Sequence, residues 1–154
     1  MEYTIINITD PGAAAELAAI ERECFTHPMT EPQVSSMLQQ KTSCFFAARE
    51  GGSRQIVGSL WLQTVLDEGY IGNVAVLPAW RRRGIGDALL DRAECFARER
   101  TLAFLTLEVR AANTPAIALY EKHGFRRVGL RRGYYSDPKE DALLMTKEFE
   151  RNQL

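Results

Sequence analysis

The spacing of apolar residues changes several times along the chain, and each change predicts a new element. Residues 3–8 are β-branched and apolar, which predicts a first strand. Asp10 then precedes a stretch in which apolar residues recur at helical spacing, so we predict a helix with Asp10 as its cap. Its other face carries three acidic residues that we expect to be solvated: Glu16, Glu21 and Glu23.

A short helix and a β-rich region follow. Thr30 and Gln33 have the spacing of a capping box, which predicts a helix that runs to Gln40. Residues 44–49 and 56–65 are rich in β-formers and are separated by Gly-Gly-Ser, which predicts a hairpin. A turn at 67–69 leads into a further strand over 70–77. We therefore expect three consecutive antiparallel strands.

The second half alternates helices and strands. After Gly86 the pattern predicts a helix with Leu89, Leu90, Ala93 and Phe96–Ala97 on its buried face. Then come a strand over 102–109, a helix from Asn113 to His123 that ends at Gly124, and strands over 125–128 and 143–149 joined by a polar loop around 134–138. Strand, helix and strand in succession imply a parallel crossover. We predict one mixed α/β domain over residues 1–154.

Composition restricts the function classes. The 154 residues are 45% hydrophobic and 25% charged, with a net charge of −1, as in ordinary globular proteins. Nothing in this balance suggests binding to nucleic acid or membrane, and no apolar run approaches membrane-spanning length. Cys24, Cys44 and Cys95 lie far apart among apolar residues, which favours buried thiols over disulfides or metal ligands. We expect a cytoplasmic protein without signal peptide or bound metal.

The stretch 73–90, NVAVLPAWRRRGIGDALL, has the pattern of an anion site. It passes from a strand through three arginines and two glycines into a helix. Backbone N–H groups and the positive end of the helix dipole converge at such a helix start. Gly84 and Gly86 let a phosphate approach the backbone without a Cβ in the way. We therefore predict that residues 82–87 hold a phosphate-bearing ligand.

Two common phosphate motifs do not fit this stretch. The P-loop requires lysine and then serine or threonine after its last glycine, where this chain has Asp87 and Ala88. The dinucleotide fingerprint requires a third glycine, where this chain has Leu89. The remaining pattern, Arg-x-x-Gly-x-Gly from Arg81 to Gly86, resembles the pyrophosphate loop of the GCN5-related N-acetyltransferases, which bind acetyl-coenzyme A. A tight basic strand-to-helix turn is the alternative reading of the loop alone.

Further blocks carry the same resemblance. LEVRAAN at 107–113 and AIALYEKHGF at 116–125 are similar to the C-terminal half of that family, as are RRGYY at 131–135 and the EDA at 140–142. The resemblance covers about residues 60–147 and is looser over the first 50. Within the family, it is to enzymes that acetylate the N-terminal alanine of a small-subunit ribosomal protein.

The resemblance implies a fold and a set of site residues. The fold would be a mixed, mostly antiparallel central sheet with one parallel crossover and about four flanking helices. The pantetheine arm of acetyl-CoA would pair with the backbone of Val74, Ala75 and Val76, and Asn113 would hydrogen-bond near its end. The pyrophosphate would be held by Arg82, Arg83, Gly84, Ile85, Gly86 and Asp87. Glu108 would be the general base and Tyr120 the general acid.

Elementary chemistry agrees with direct transfer to an amine. An α-amine has a pKa near 7.7–8.0, so roughly 10–20% is already neutral at pH 7, and a carboxylate such as Glu108 meets the remaining need. A lysine amine, with a pKa near 10.4, needs about three units of help. Full proton transfer from a phenol such as Tyr120 to a thiolate is uphill by about 2 kcal/mol. We therefore expect Tyr120 to stabilise the leaving sulfur by hydrogen bonding.

Other readings of these residues stay open. Glu108 alone could be a strand-end carboxylate paired with Arg110, and Tyr120 could be a core residue. Tyr134 and Tyr135 could form a plain hairpin arm or a wall of the acceptor cleft. The family usually carries a Pro-Trp pair where this chain has Pro28 and Met29, which leaves the acceptor open.

The favoured function is therefore N-terminal acetyl transfer to a protein, with ribosomal alanine as the acceptor. The alternatives are transfer to other protein N-termini, to lysine or to a small-molecule amine. A non-catalytic acyl-CoA-binding module is a further alternative, although binding alone requires neither Glu108 nor Tyr120.

Overall fold

A computed structural model describes residues 2–150 of the chain, in which seven strands form one mixed sheet. The strands are β1 (Tyr3–Ile8), β2 (Ser43–Glu50), β3 (Ile56–Val65), β4 (Glu68–Val76), β5 (Phe104–Arg110), β6 (Arg126–Tyr135) and β7 (Glu140–Glu148). Their order is β1-β2-β3-β4-β5-β7-β6, and every neighbouring pair is antiparallel except β4 and β5. The predicted parallel crossover is confirmed.

Four α-helices cover the sheet within the described residues: α1 (Ala14–Cys24), α2 (Glu31–Leu38), α3 (Ile85–Glu99) and α4 (Thr114–Lys122). The predicted caps are present. Asp10 accepts a hydrogen bond from the backbone N–H of Gly12 at 2.9 Å, ahead of a short 3-10 turn that leads into α1. Thr30 and Gln33 form the reciprocal capping box of α2. The apolar face predicted for α3 is buried against the sheet.

The parallel pair β4–β5 is short, and this opens the sheet. Its register ends at the pair Ile71 and Leu107, although both strands continue beyond it. At the same level β4 bulges, because Gly72 and Asn73 together lie opposite Trp61 of β3. The two central strands therefore separate at their C-terminal ends, which leaves one edge of residues 72–76 without a partner from β5.

Several predicted boundaries and burials are wrong. The polar loop predicted around 134–138 is shorter, because β6 extends to Tyr135 and pairs with β7 up to Glu140. Helix α3 begins at Ile85 rather than after Gly86. Cys95, expected to be buried, is exposed on α3, while Cys24 and Cys44 are half-buried.

The acidic residues of α1 also differ from expectation. Glu21 is only 2% exposed, although it was expected to be solvated. Its position, four residues after the buried Leu17, places it on the apolar stripe of the helix. The ends of the predicted domain, residue 1 and residues 151–154, lie outside the described residues. None of the described helices has the length and apolar character that a membrane span requires.

Candidate active site

A cleft of about 770 Å³ lies where β4 and β5 separate, and it extends to the start of α3 and along α4. It brings together most of the residues predicted to bind a cofactor, together with Tyr120: Val74, Ala75, Val76, Arg82, Gly84, Ile85, Gly86, Asp87 and Asn113. Two predicted residues, Arg83 and Glu108, do not line it. Residues from the end of α1 and from α4 complete its walls.

The free edge of β4 is one wall of this cleft. Leu77 donates its backbone N–H to Val57 of β3 at 2.9 Å. Because the backbone N–H and C=O groups of successive residues point to opposite edges of a strand, those of Ala75 also point toward β3. The backbone groups of Val74 and Val76 therefore point toward the cleft. The carbonyl of Val76 accepts from Nε of Arg81 at 3.0 Å and from the thiol of Cys24 at 3.5 Å. The polar backbone of Val74 is thus the part of this edge best placed for a ligand.

The start of α3 forms the second wall and carries the anion loop, residues 81–87. Gly84 caps the helix with φ +80°, and Arg82 before it has φ +64°, so the loop turns sharply through the left-handed region twice. No side chain in the described part of the chain caps the first turn, so its N–H groups are left for an anionic ligand. A Cβ at Gly86 would lie 3.1 Å from Cδ2 of Leu119, which shows how closely α4 approaches the loop.

Basic side chains around the loop have different roles. Arg81 and Arg82 line the cleft, whereas Arg83 does not line it but stacks at 4.9 Å over the ring of Trp80, which does. The acidic Asp87 also lines the cleft, but its carboxylate is held by Nζ of Lys122 at 2.9 Å and by Nε2 of His123 at 2.8 Å. The hydrogen bonds from these two groups lower the pKa of Asp87. The negative charge of Asp87 is therefore neutralised from the α4 side.

Tyr120 reaches the cleft from α4 and belongs to the core at the same time. It is 8% exposed, and its ring lies 6.0 Å from that of Phe125. Burial raises the pKa of Tyr120 to about 12, so its hydroxyl stays protonated at neutral pH. Asn113 caps α4 as predicted, because its Oδ1 accepts from the N–H of Ala116 at 3.3 Å.

Glu108 lies just beyond the last β4–β5 pair, and strand alternation turns it to the face opposite Leu107 and Val109. Its side chain is 11% exposed, and Oε1 lies 3.8 Å from a guanidinium nitrogen of Arg131. Oε2 is buried and has no hydrogen-bond partner among the described residues. Arg110 does not pair with it, because Arg110 binds backbone carbonyls of Ser136 and Pro138 and the carboxylate of Glu140.

Three tyrosines surround Glu108. Burial, followed by the negative charge of Glu108, raises the pKa of Tyr70 and of Tyr135 to about 12. A hydrogen bond to Glu108 is the main cause that raises the pKa of Tyr134. Tyr135 also stacks under Arg110 at 4.4 Å. Tyr134 and Tyr135, for which the sequence allows either a hairpin arm or a wall of the acceptor cleft, thus lie beside the predicted base.

The buried carboxylate of Glu21 connects β4 to the segment between α1 and α2. It accepts from the backbone N–H of Met29 at 3.1 Å, in the segment between α1 and α2. It also accepts from the side-chain amide of Asn73, at 3.0 and 3.1 Å to its two oxygens. Burial outweighs these hydrogen bonds and raises the pKa of Glu21. Helical spacing from Leu17 is the signal in the sequence for the burial of Glu21, which the pattern of charged residues alone predicts to be solvated.

The cleft and the sheet that opens beside it define the class of protein. A model of the Acetyltransferase (GNAT) family matches residues 14–125. The chain therefore belongs to this family of N-acetyltransferases, and the recognition made from the sequence is confirmed.

Individual relatives carry names that are more specific than the family description. The chain is 38% identical over 128 residues to the [ribosomal protein bS18]-alanine N-acetyltransferase of Escherichia coli K12, a match that covers 82% of this chain and 84% of the relative. It is 33% identical over 127 residues to a protein of Bacillus subtilis described as a putative enzyme of the same name, with 82% and 83% covered. The crystal structure of the ribosomal-protein-S18-alanine N-acetyltransferase from Escherichia coli superposes with a TM-score of 0.90 at 33% identity, covering 99% of this chain and 97% of that one.

Proposed function

We propose that this protein transfers the acetyl group of acetyl-CoA to a protein N-terminal amine, and that its acceptor is the N-terminal alanine of ribosomal protein bS18. The observation that carries the proposal is the opening between β4 and β5. The cleft with its anion loop lies on one side of this opening, and the carboxylate of Glu108, with its buried Oε2, lies at the opening but outside the lining of the cleft. The names of the relatives support the choice of acceptor.

The residues of the cleft fit acetyl-CoA. The first turn of α3 and the side chain of Arg82 would hold the pyrophosphate, because backbone N–H groups and a guanidinium favour anionic oxygens. The polar backbone of Val74 would pair with the amides of the pantetheine arm, and Asn113 would bind near its end. When bound, acetyl-CoA supplies an activated acetyl thioester.

Glu108 serves as the general base in this proposal. An α-amine needs to lose a proton as it is acetylated, and a carboxylate at hydrogen-bonding distance or through a water accepts that proton. Oε2 of Glu108 has no hydrogen-bond partner within residues 2–150, so it can accept an N–H from the amine. The guanidinium of Arg131 lies 3.8 Å from the other oxygen, Oε1.

Tyr120 donates a hydrogen bond rather than a whole proton. With a pKa of about 12, it would transfer its proton to a thiolate near 8.5 only at a cost of about 5 kcal/mol. As a hydrogen-bond donor it stabilises negative charge on the departing sulfur without that cost. The raised pKa of Tyr120 thus supports the role expected from its chemistry.

The experiment measures thiol release from acetyl-CoA with a panel of acceptors. The panel contains an alanine-initiated peptide with the bS18 N-terminal sequence of the same organism, an N-blocked lysine peptide, a polyamine and an aminoglycoside. We expect the highest kcat/KM for the alanine peptide. We also expect Glu108→Gln to bind acetyl-CoA with unchanged affinity and to lose turnover. Faster release with the lysine peptide or with a small amine would contradict the proposed acceptor.

A further inference from the structure

Two buried polar atoms among the described residues have no hydrogen-bond partner, and they are of opposite type. One is Nε1 of Trp61, which carries a donor hydrogen, and the other is Oε2 of Glu108, which accepts. Buried polar groups in folded proteins are nearly always paired, because an unpaired one destabilises the fold. An unpaired donor and an unpaired acceptor in one region therefore suggest that a ligand supplies the missing partners.

Both atoms lie at the opening of the sheet. The ring of Trp61 lies over the α-carbon of Gly72, because a Cβ there would be 1.8 Å from Cζ2 and 1.9 Å from Cε2. Those two atoms belong to the ring edge that carries Nε1. Gly72 and Glu108 are the first residues beyond the last β4–β5 pair, one on each strand. The two unpaired atoms therefore flank the gap between the separating strands.

We infer that Trp61 determines acceptor specificity by donating its indole hydrogen to the first backbone carbonyl of the acceptor while Glu108 receives the amine. This inference rests on the proposed function and names the chemical class that the site recognises. An α-amino amide carries an N–H donor and a carbonyl acceptor on adjacent carbons, which matches one unpaired acceptor and one unpaired donor. The ε-amine of lysine and simple alkylamines have no carbonyl next to the amine-bearing carbon.

The acceptor reaches Glu108 past the side chain of Tyr134. Arg131, which contacts Glu108, lies over the ring of Tyr134, and this side chain is 48% exposed on β6, at the edge of the sheet. Its exposure allows it to move without disturbing the core. When Tyr134 moves aside, the amine of the acceptor donates to the unpaired Oε2 of Glu108, and the adjacent carbonyl accepts from the indole of Trp61.

The test combines one enzyme variant with one altered peptide. Trp61→Phe keeps an aromatic ring over Gly72 and removes the donor. The altered peptide has its first amide replaced by an E-alkene, which keeps the shape, removes the carbonyl together with the amide N–H, and raises the pKa of the amine. Trp61→Phe alone is expected to lower kcat/KM for an alanine-initiated peptide about tenfold, as for one lost hydrogen bond. The peptide change alone is expected to lower it by at least as much, and Trp61→Phe is expected to lower it no further on the altered peptide. The KM for acetyl-CoA is expected to stay within twofold.

Other outcomes overturn the inference. If Trp61→Phe loses the same factor on both peptides, the residue acts only through the fold. If wild-type protein acetylates both peptides equally well, no group of the site uses the carbonyl, and this comparison decides even if the variant does not fold. If wild type acetylates the alanine peptide and Trp61→Phe does so equally well, the inference is overturned while the proposed function stands. Absence of acetylation of any α-amine by wild type overturns the proposed function as well.

Discussion

The buried carboxylate of Glu21 offers a quantitative test of how the site is held together. Replacing it with alanine leaves two groups without an acceptor: the side-chain amide of Asn73 and the backbone N–H of Met29. Each buried donor left unpaired costs about 1–3 kcal/mol. Part of this is offset, because the variant no longer buries a charged group whose pKa burial has raised. We expect Glu21→Ala to lower the free energy of unfolding by about 2–4 kcal/mol.

Thermal unfolding measures this effect. For a domain of this size, 1 kcal/mol corresponds to roughly 2–4 °C, so Tm is expected to fall by roughly 4–16 °C. The matched control is Glu23→Ala, an exposed carboxylate on the same helix, which is expected to change stability by less than about 0.5 kcal/mol. Glu21→Gln keeps the shape and one acceptor oxygen, and it is expected to fall between the two. Equal stability of Glu21→Ala and Glu23→Ala would refute the structural role of this carboxylate.

The pH dependence of stability gives a second measure of Glu21. Burial raises its pKa in the folded state above the ordinary value of 4.5. The folded protein then binds more protons than the unfolded chain between these two pKa values, so the contribution of Glu21 is fully present below the unfolded pKa. It is lost as pH rises through the folded pKa. Glu21→Gln is expected to lack this part of the pH dependence, and an unchanged profile would contradict the assignment.

Two further variants separate the chemical step from donor binding. Tyr120→Phe keeps the buried ring and is expected to lower kcat by about 10- to 100-fold with little change in the KM for acetyl-CoA. Because the pKa of Tyr120 is about 12, the variant and wild type are expected to share the same pH–rate profile below pH 10, and a lost basic limb would contradict that pKa. Gly84→Ala places a side chain at φ +80°, which costs about 1–2 kcal/mol, so the anion loop distorts. Steady-state kinetics should then show a severalfold higher KM for acetyl-CoA with an unchanged KM for the acceptor, and the reverse pattern would place the loop elsewhere.

Local signals in the sequence predicted most of the fold. The cap at Asp10 and the capping box at Thr30 depend on residues within three positions, and both are present as predicted. The anion loop is equally local, since its glycines and the helix start lie within a few residues. The order of strands and helices then required only one parallel crossover, which is confirmed.

The features that the sequence does not reveal depend on long-range partners. Glu21 is buried because Asn73, 52 positions later, brings an amide to it. Hydrophobic spacing alone cannot assign a partner to a glutamate on an apolar stripe. Strand β6 extends to Tyr135 because Tyr135 pairs with Glu140 of β7, whereas the polar residues around it indicate a loop. The ring of Trp61 lies over Gly72 at the bulge of β4, which no local pattern shows.

The most direct test of the proposed function is the position of the acetyl group on a peptide that offers both kinds of amine. The peptide begins with alanine and carries one internal lysine, and it is incubated with the protein and acetyl-CoA. Tandem mass spectrometry then locates the added acetyl group. We predict acetylation of the α-nitrogen of alanine with the lysine unmodified, and no acetylation by Glu108→Gln. Acetyl on the lysine side chain, or none on the peptide, would contradict the proposal.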